Sequence, residues 1–451
     1  KTFWPKVTFN QDFTFASSYR LGMAPTRTDA ADSGHPLENR RWLRLALITI
    51  SCNICAGLVP GMGLFVQLLV EAGIGSSLCN HGQSVCDEQY LFVSEAFSTA
   101  AGMSFFLTFV VGWLFDRLGG YFVSQVGAGI LAVGFAILQV PLLGAQSGHD
   151  GQTRTWLVIA ILLADIGAVL NTMSIMSIVW HFPDFESVVA ACSSLTYNGM
   201  ALFPIILSAL MRANGLSLSS VMLGWLALVV LACICCRYTI PTMEEYKAQG
   251  AKVTGMPLPH AEDTTFCRVF WNANLVMLQQ WRMHALAMLS MAMYSAYGSV
   301  YVSLLGDLGE LLFGSAAAGE TLASTPPITS SIARCIVVPS FAYASDYFNA
   351  GSMALLAGSV MLSTLTNISF VQTTWLAQVF TGVCNSIMVS LLAAYFTRYV
   401  LAFSGPARLG SVSGLLHTYS SLLQLVLQAS LYSWISALPS TGPEHLILPL
   451  E

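Results

Sequence analysis

Residues 112–122 read GWLFDRLGGYF. An acid and a base, Asp116 and Arg117, stand together in an otherwise apolar string, and two glycines, Gly119 and Gly120, follow at once. The chain is apolar on both sides, over about 90–115 and again over about 119–144. A membrane-spanning helix needs roughly 20 such residues. The string is therefore the turn of a hairpin between two spanning helices. Gly112 and Gly119 permit close packing and a tight turn. The Asp116 carboxylate suits capping of a neighbouring helix N-terminus or pairing with a basic residue.

Composition extends that reading to the whole chain. Of 451 residues, 55% are hydrophobic and 9% are charged, and the formal net charge is −5. Soluble domains carry about 25% charged residues, so these few cannot cover a water-exposed surface of this size. The acidic balance offers no basic field for nucleic acid. Eleven apolar spans are expected, at about 43–70, 90–115, 119–144, 155–180, 187–211, 218–239, 283–306, 327–345, 352–370, 374–398 and 410–437. No cleavable signal peptide is expected, so the first span is the insertion signal. With the N-terminus in the cytoplasm, fifteen of the 18 Lys and Arg fall on inner segments, and only Arg154 and Arg212 fall outside. That excess sets the orientation. Cys79 and Cys86 share an outer loop, where a disulfide or two free thiols are the alternatives. No Cys/His spacing suits a metal, and no cofactor is expected.

The hairpin string resembles the cytoplasmic loop signature of the major facilitator superfamily, with Gly120 and Tyr121 standing where paired basic residues usually sit. PSFAYASDYFNAG (339–351) is a fainter echo that puts Asp346 in the place of Asp116. The resemblance implies an all-α polytopic membrane protein of two six-helix halves. The expected divisions are a cytoplasmic segment 1–42, a first half 43–240, a linker 241–282 and a second half 283–451. Eleven spans leave the last helix apparently missing or truncated. The glycine-rich first span, the Cys-bearing loop, VWHFPDFES (179–187) and SVVAACSSLTYNGMALFP (187–204) are similar to solute carrier family 43 large neutral amino acid transporters. They are closer still to the related apicomplexan amino acid transporters. That resemblance implies carriage of amino acids without an enzyme active site.

Charges inside the membrane are costly, and so are candidates for function. Three stand out: Asp165, Glu95 and Arg334. Asp165 is a candidate ligand for an ammonium or guanidinium group, or a packed carboxylate. Arg334 is a candidate clamp for an α-carboxylate, or a partner neutralising Glu95 or Asp165. Two acids against one base tilt the site toward arginine or lysine, with a large neutral or aromatic amino acid as the alternative. Gly61 and Gly63, near Gly57 and Pro60, mark a break in span one that offers backbone groups to a ligand, or else close helix packing. Further substrate-binding candidates are Asn171, Tyr197 and Asn198. Tyr294 and Tyr297, Asn385 and Ser386, and the titratable His417 complete the set. The gating candidates are Gly112, Asp116, Arg117, Gly119 and Asp346, with Glu95 at the outer end.

The expected activity is facilitative transport by a monomeric, plasma-membrane carrier working by alternating access. Carriage of another small solute, such as an organic anion or a sugar, is the alternative within transport. An amino acid sensor that binds without moving its ligand is the alternative from another class.

Overall fold

A computed structural model of the chain describes residues 40–79, 86–147, 153–198, 202–254, 265–279, 281–282, 284–293, 296, 309, 312–370, 372–404 and 408–437. The candidates Tyr294 and Tyr297, the side chain of Asn198, and the expected segments 1–39 and 438–451 lie outside the described residues. Every regular element described is helical.

Span one is two helices, α1 (Arg41–Ile54) and α2 (Met62–Glu71), separated by a 3-10 turn at Val59–Gly61. Pro60 sits in that turn; a proline lacks the N–H that would carry a helix through it. The break lets the chain approach its neighbour. A Cβ on Gly57 would stand 3.0 Å from the Ala164 carbonyl oxygen and 3.1 Å from Asp165 Cα.

Spans two and three are one helical run, α3 (Asp87–Ser147), bent sharply at Gly119. Gly119 has φ +79°, a conformation that costs side-chain-bearing residues dearly, and its ψ of 163° takes it out of the helix. The hairpin expected at 112–122 is that bend. α4 (Thr153–Ser174) continues as a 3-10 segment, Ile175–His181. Span five holds α5 (Glu186–Asn198) and α6 (Phe203–Asn214). α7 (Leu218–Thr239) and α8 (Met243–Thr254) follow.

α9 (Phe266–Gln279) lies inside the stretch read as linker. It packs as a bundle helix, with Phe266 and Phe270 edge-on to Phe109, each at 5.2 Å between centroids. Its asparagines conceal it in the sequence, yet Asn274 donates to the Phe270 carbonyl and accepts from the Tyr419 hydroxyl. A further apolar helix runs over His284–Met293. α10 (Ala316–Tyr347), α11 (Gly351–Phe370), α12 (Trp375–Ser404) and α13 (Leu409–Ala437) complete the described fold.

Five described stretches are long and apolar enough to cross a bilayer. Large apolar side chains such as Leu223, Leu231 and Ile234 on α7 point outward and are at least half exposed. In water such a face is a liability; in lipid it is the solvated surface. The chain is an integral, multi-pass membrane protein.

Two buried apolar clusters organise the interior. One, built around Phe65, Phe97, Phe135 and Trp225, draws only on residues between Cys55 and Ala232. The other joins Phe115, Trp180 and Tyr246 to Val338, Leu391, Phe396 and Leu416. It sits at the end of the bundle that holds Asp116. Residues 41–239 and 316–437 thus share a core at that end. At the opposite end the cluster of the first half stands by itself among the described residues.

At that opposite end a Cys79–Cys86 disulfide closes the loop after α2. Alkylation of unreduced protein is expected to leave these two thiols unlabelled while Cys267, exposed near the start of α9, reacts. Labelling of Cys79 before reduction would refute the bridge.

Candidate functional site

The Asp116 end is fastened by two carboxylates that act across the halves. Asp116 Oδ1 accepts the Gly410 N–H at 2.7 Å. Its Oδ2 accepts the Ser411 N–H at 2.7 Å and the Ser411 hydroxyl. These donors are at the start of α13, where a helix has unpaired N–H groups and a positive dipole end. Asp346, on α10 of the other half, accepts the Ser187 N–H at 2.8 Å and the Val188 N–H at 3.3 Å at the start of α5. Each half therefore caps a helix of the other. Beside Asp346, Arg398 pairs with Glu186.

Bare backbone makes the first contact possible. A Cβ on Gly112 would stand 1.9 Å from the Gly410 carbonyl oxygen, so α3 and α13 cross with nothing between them. Thr108 and Thr418 hydrogen bond at 2.9 Å one turn further along. Arg117 takes no part in this contact and places its guanidinium over the Trp113 ring.

The linker helix α8 docks on the first half at the same end. Glu245 accepts two bonds from Arg44, at 2.6 and 3.1 Å, and a third from His181 Nε2 at 3.1 Å. Arg44 also donates to the Thr239 carbonyl at 2.6 Å. Burial pushes the Glu245 carboxyl up, but the bonds from His181 and Arg44 outweigh it and hold the group at about 2. A depressed carboxyl stabilises the fold above its unfolded value of about 4.3, and that contribution is lost only as pH falls through about 2. Glu245→Gln is thus expected to lower the unfolding temperature at pH 8, since it leaves the buried Arg44 without its ionic partner, a loss of about 3–5 kcal/mol. An unchanged unfolding temperature would contradict this.

Midway along the bundle, Asp165 on α4 is fully buried. Its oxygens accept the Ser104 hydroxyl and, at 3.1 Å, the Tyr197 hydroxyl. The break in span one passes directly over it at Gly57. Asn53 at the end of α1 donates to the Thr196 carbonyl at 3.2 Å. Asp165, Tyr197 and the span-one break are therefore one cluster, held by α1, α3, α4 and α5.

The other candidates are dispersed. A Cβ on Gly61 would stand 2.8 Å from Pro204, whereas Gly63 has open space around it. Asn171 donates to the Gly167 carbonyl, and its side-chain oxygen is buried without a partner. Asn385 is buried with its oxygen unpaired; Ser386 accepts from Ser390 through its carbonyl. His417 packs on Phe396 at 4.8 Å. Glu95 pairs with Arg154 at 2.8 Å on an exposed face. Arg334 is buried at 9% exposure with its Nε unpaired. It neutralises neither Glu95 nor Asp165, because both already have other partners.

Sequence reading missed Ser104, Glu186, Arg398, Arg44, His181, Glu245, Gly410 and Ser411. Only the charged residues among them carry a signal, as ionisable groups at span ends.

No protein-family model matches the chain, and no curated protein matches it. Solved structures do. FucP, a major facilitator superfamily transporter captured in its outward conformation, is 14% identical; the match covers 91% of this chain and 96% of FucP, with a TM-score of 0.61. The human organic anion transporter MFSD10 is 13% identical over 92% of this chain and 99% of its own, with a TM-score of 0.57. The proton:xylose symporter XylE is 13% identical over 91% and 94%, with a TM-score of 0.60. The fold is that of the major facilitator superfamily.

Proposed function

We propose that this protein is a facilitative carrier of amino acids that works by alternating access between its two halves. The observation that carries this reading is the reciprocal capping by Asp116 and Asp346. Those bonds fasten the halves at one end only, and a rocking motion breaks them as a set. The sequence likeness to amino acid transporters supports the solute class. The Lys and Arg count supports a cytoplasmic Asp116 end, and the Cys79–Cys86 bridge at the opposite end fits an oxidising exterior. A monomer in the plasma membrane is the corresponding assembly and location.

Within that class the geometry favours a large neutral amino acid. Asp165 is enclosed and already engaged by two hydroxyls, so it presents no open carboxylate to an arginine or lysine side chain. The test is uptake by purified protein in liposomes. Saturable uptake of a neutral amino acid, accelerated by amino acid inside, is expected. No amino acid uptake would sink the reading, and binding without flux would make the protein a sensor. Arginine uptake that Asp165→Asn abolishes would return Asp165 to the role of side-chain ligand. A second reading, carriage of a small organic anion, is favoured by Arg334, which has no partner among the described residues; MFSD10 is named as a carrier of that kind.

A further inference from the structure

Among the buried Asp, Glu, Lys and Arg side chains described, Arg334 is the exception. Arg44 pairs with Glu245 and Arg398 with Glu186. Asp116 and Asp346 cap helices, and Asp165 holds two hydroxyls. Arg334 has no ion pair, hydrogen bond or ring contact among the described residues. A desolvated, unpaired charge is strongly unfavourable, so a fold that keeps one there needs an anion in some state of its cycle.

Its placement says which state. On α10 Arg334 shares a face with the buried Ser331 and Val338, opposite the exposed Ile332, Ile336 and Tyr343, so it points into the bundle. It lies twelve residues before Asp346, and Ser104, which holds Asp165, lies twelve residues before Asp116. At 1.5 Å per residue each is about 18 Å from its capping carboxylate. That is near the middle of a hydrocarbon core about 30 Å thick, the depth at which carriers of this architecture bind their solutes. The tilt toward a cationic solute counted three charges as free. With Glu95 and Asp165 both engaged, the one of the three without a partner among the described residues is the positive one.

We propose that Arg334 is the carboxylate subsite of the carried solute and that no acidic side chain reads the amine. The ligand class is then a small monocarboxylate, with or without an α-ammonium group. A guanidinium presents two parallel N–H groups matched to a carboxylate, and one such charge is neutralised by one carboxylate. The inference rests on the alternating-access reading but makes a separate demand on ligand chemistry.

The test uses the purified full-length protein and its thermal stability. The ligands are leucine, phenylalanine and arginine, with their amides and their 2-oxo acids. Amino acids and 2-oxo acids are expected to raise Tm in wild type, and the amides to leave it unchanged. Arg334→Gln is expected to weaken binding at least a hundredfold, and Arg334→Lys about tenfold, because it keeps the charge but loses the fork. Amides as effective as amino acids, or a folded Arg334→Gln that binds as wild type does, would overturn the inference and leave the amino acid reading standing. Stabilisation by 2-oxo acids alone, dependent on Arg334, would uphold the inference and remove the amino acid reading. A wild-type protein stabilised by none of these ligands overturns both.

Discussion

Asp116→Ala is expected to reduce uptake at least tenfold and to free the first amides of α13. The carboxylate accepts three bonds there, two from backbone N–H groups. A bond to a charged group contributes about 1.5–3 kcal/mol net, and 1.4 kcal/mol is already about tenfold in a population. Removing Asp116 therefore takes the closed Asp116 end out of the cycle as a well-populated state. Hydrogen exchange reads this directly, because Gly410 and Ser411 lose their acceptor and exchange faster. Asp116→Asn keeps one oxygen acceptor without the charge and is expected to fall between alanine and wild type. Asp346→Ala is expected to do less harm. Beside the two backbone N–H groups that Asp346 caps, the Glu186–Arg398 pair remains to hold that contact. Wild-type uptake by Asp116→Ala, with unchanged exchange at 410–411, would refute the capping role.

Gly112→Val is expected to abolish uptake while leaving a folded, membrane-inserted protein. Its first side-chain carbon would fall 1.9 Å from the Gly410 carbonyl oxygen. Backbone cannot swing aside as a flexible side chain can, so α3 and α13 are forced apart. The overlap exists only where these helices cross, which leaves the first half's own cluster around Phe97 and Trp225 untouched. Gly102→Ala is the control on the same arm of α3. A Cβ there meets nothing within 4 Å, and an alanine in a helix is favoured by about 0.5–1 kcal/mol. Normal uptake by Gly112→Val, or equal loss in Gly102→Ala, would contradict the account.

The string at 112–122 made the hairpin legible because a positive-φ glycine beside a carboxylate is a local signal. The echo at Asp346 was legible by its register within an apolar run. Their partners were not. Gly410, Ser411 and Ser187 are ordinary residues until folding sets them at helix starts beside a carboxylate from the other half. Span one announced its interruption through Gly57, Pro60 and Gly61. α9 was hidden because Asn272, Asn274 and Gln279 lower its apolarity, although Asn274 is satisfied within the bundle. Asp165 was found by its charge, but its engagement by Ser104 depends on a contact between helices 61 residues apart in sequence.

The docking of α8 has a mechanical consequence. Met243 rests against Gly119, Tyr246 faces Phe115 and Trp180, and Glu245 is tied to Arg44 and His181. The leash between the two bodies is therefore much shorter than the sequence between α7 and α9 suggests. Only residues 255–265 separate α8 from α9, a contour of about 40 Å at most. One end of that leash is anchored to the floor of the first body, so a cut or an insertion made after Thr254 changes the reach of the second body without loosening the first.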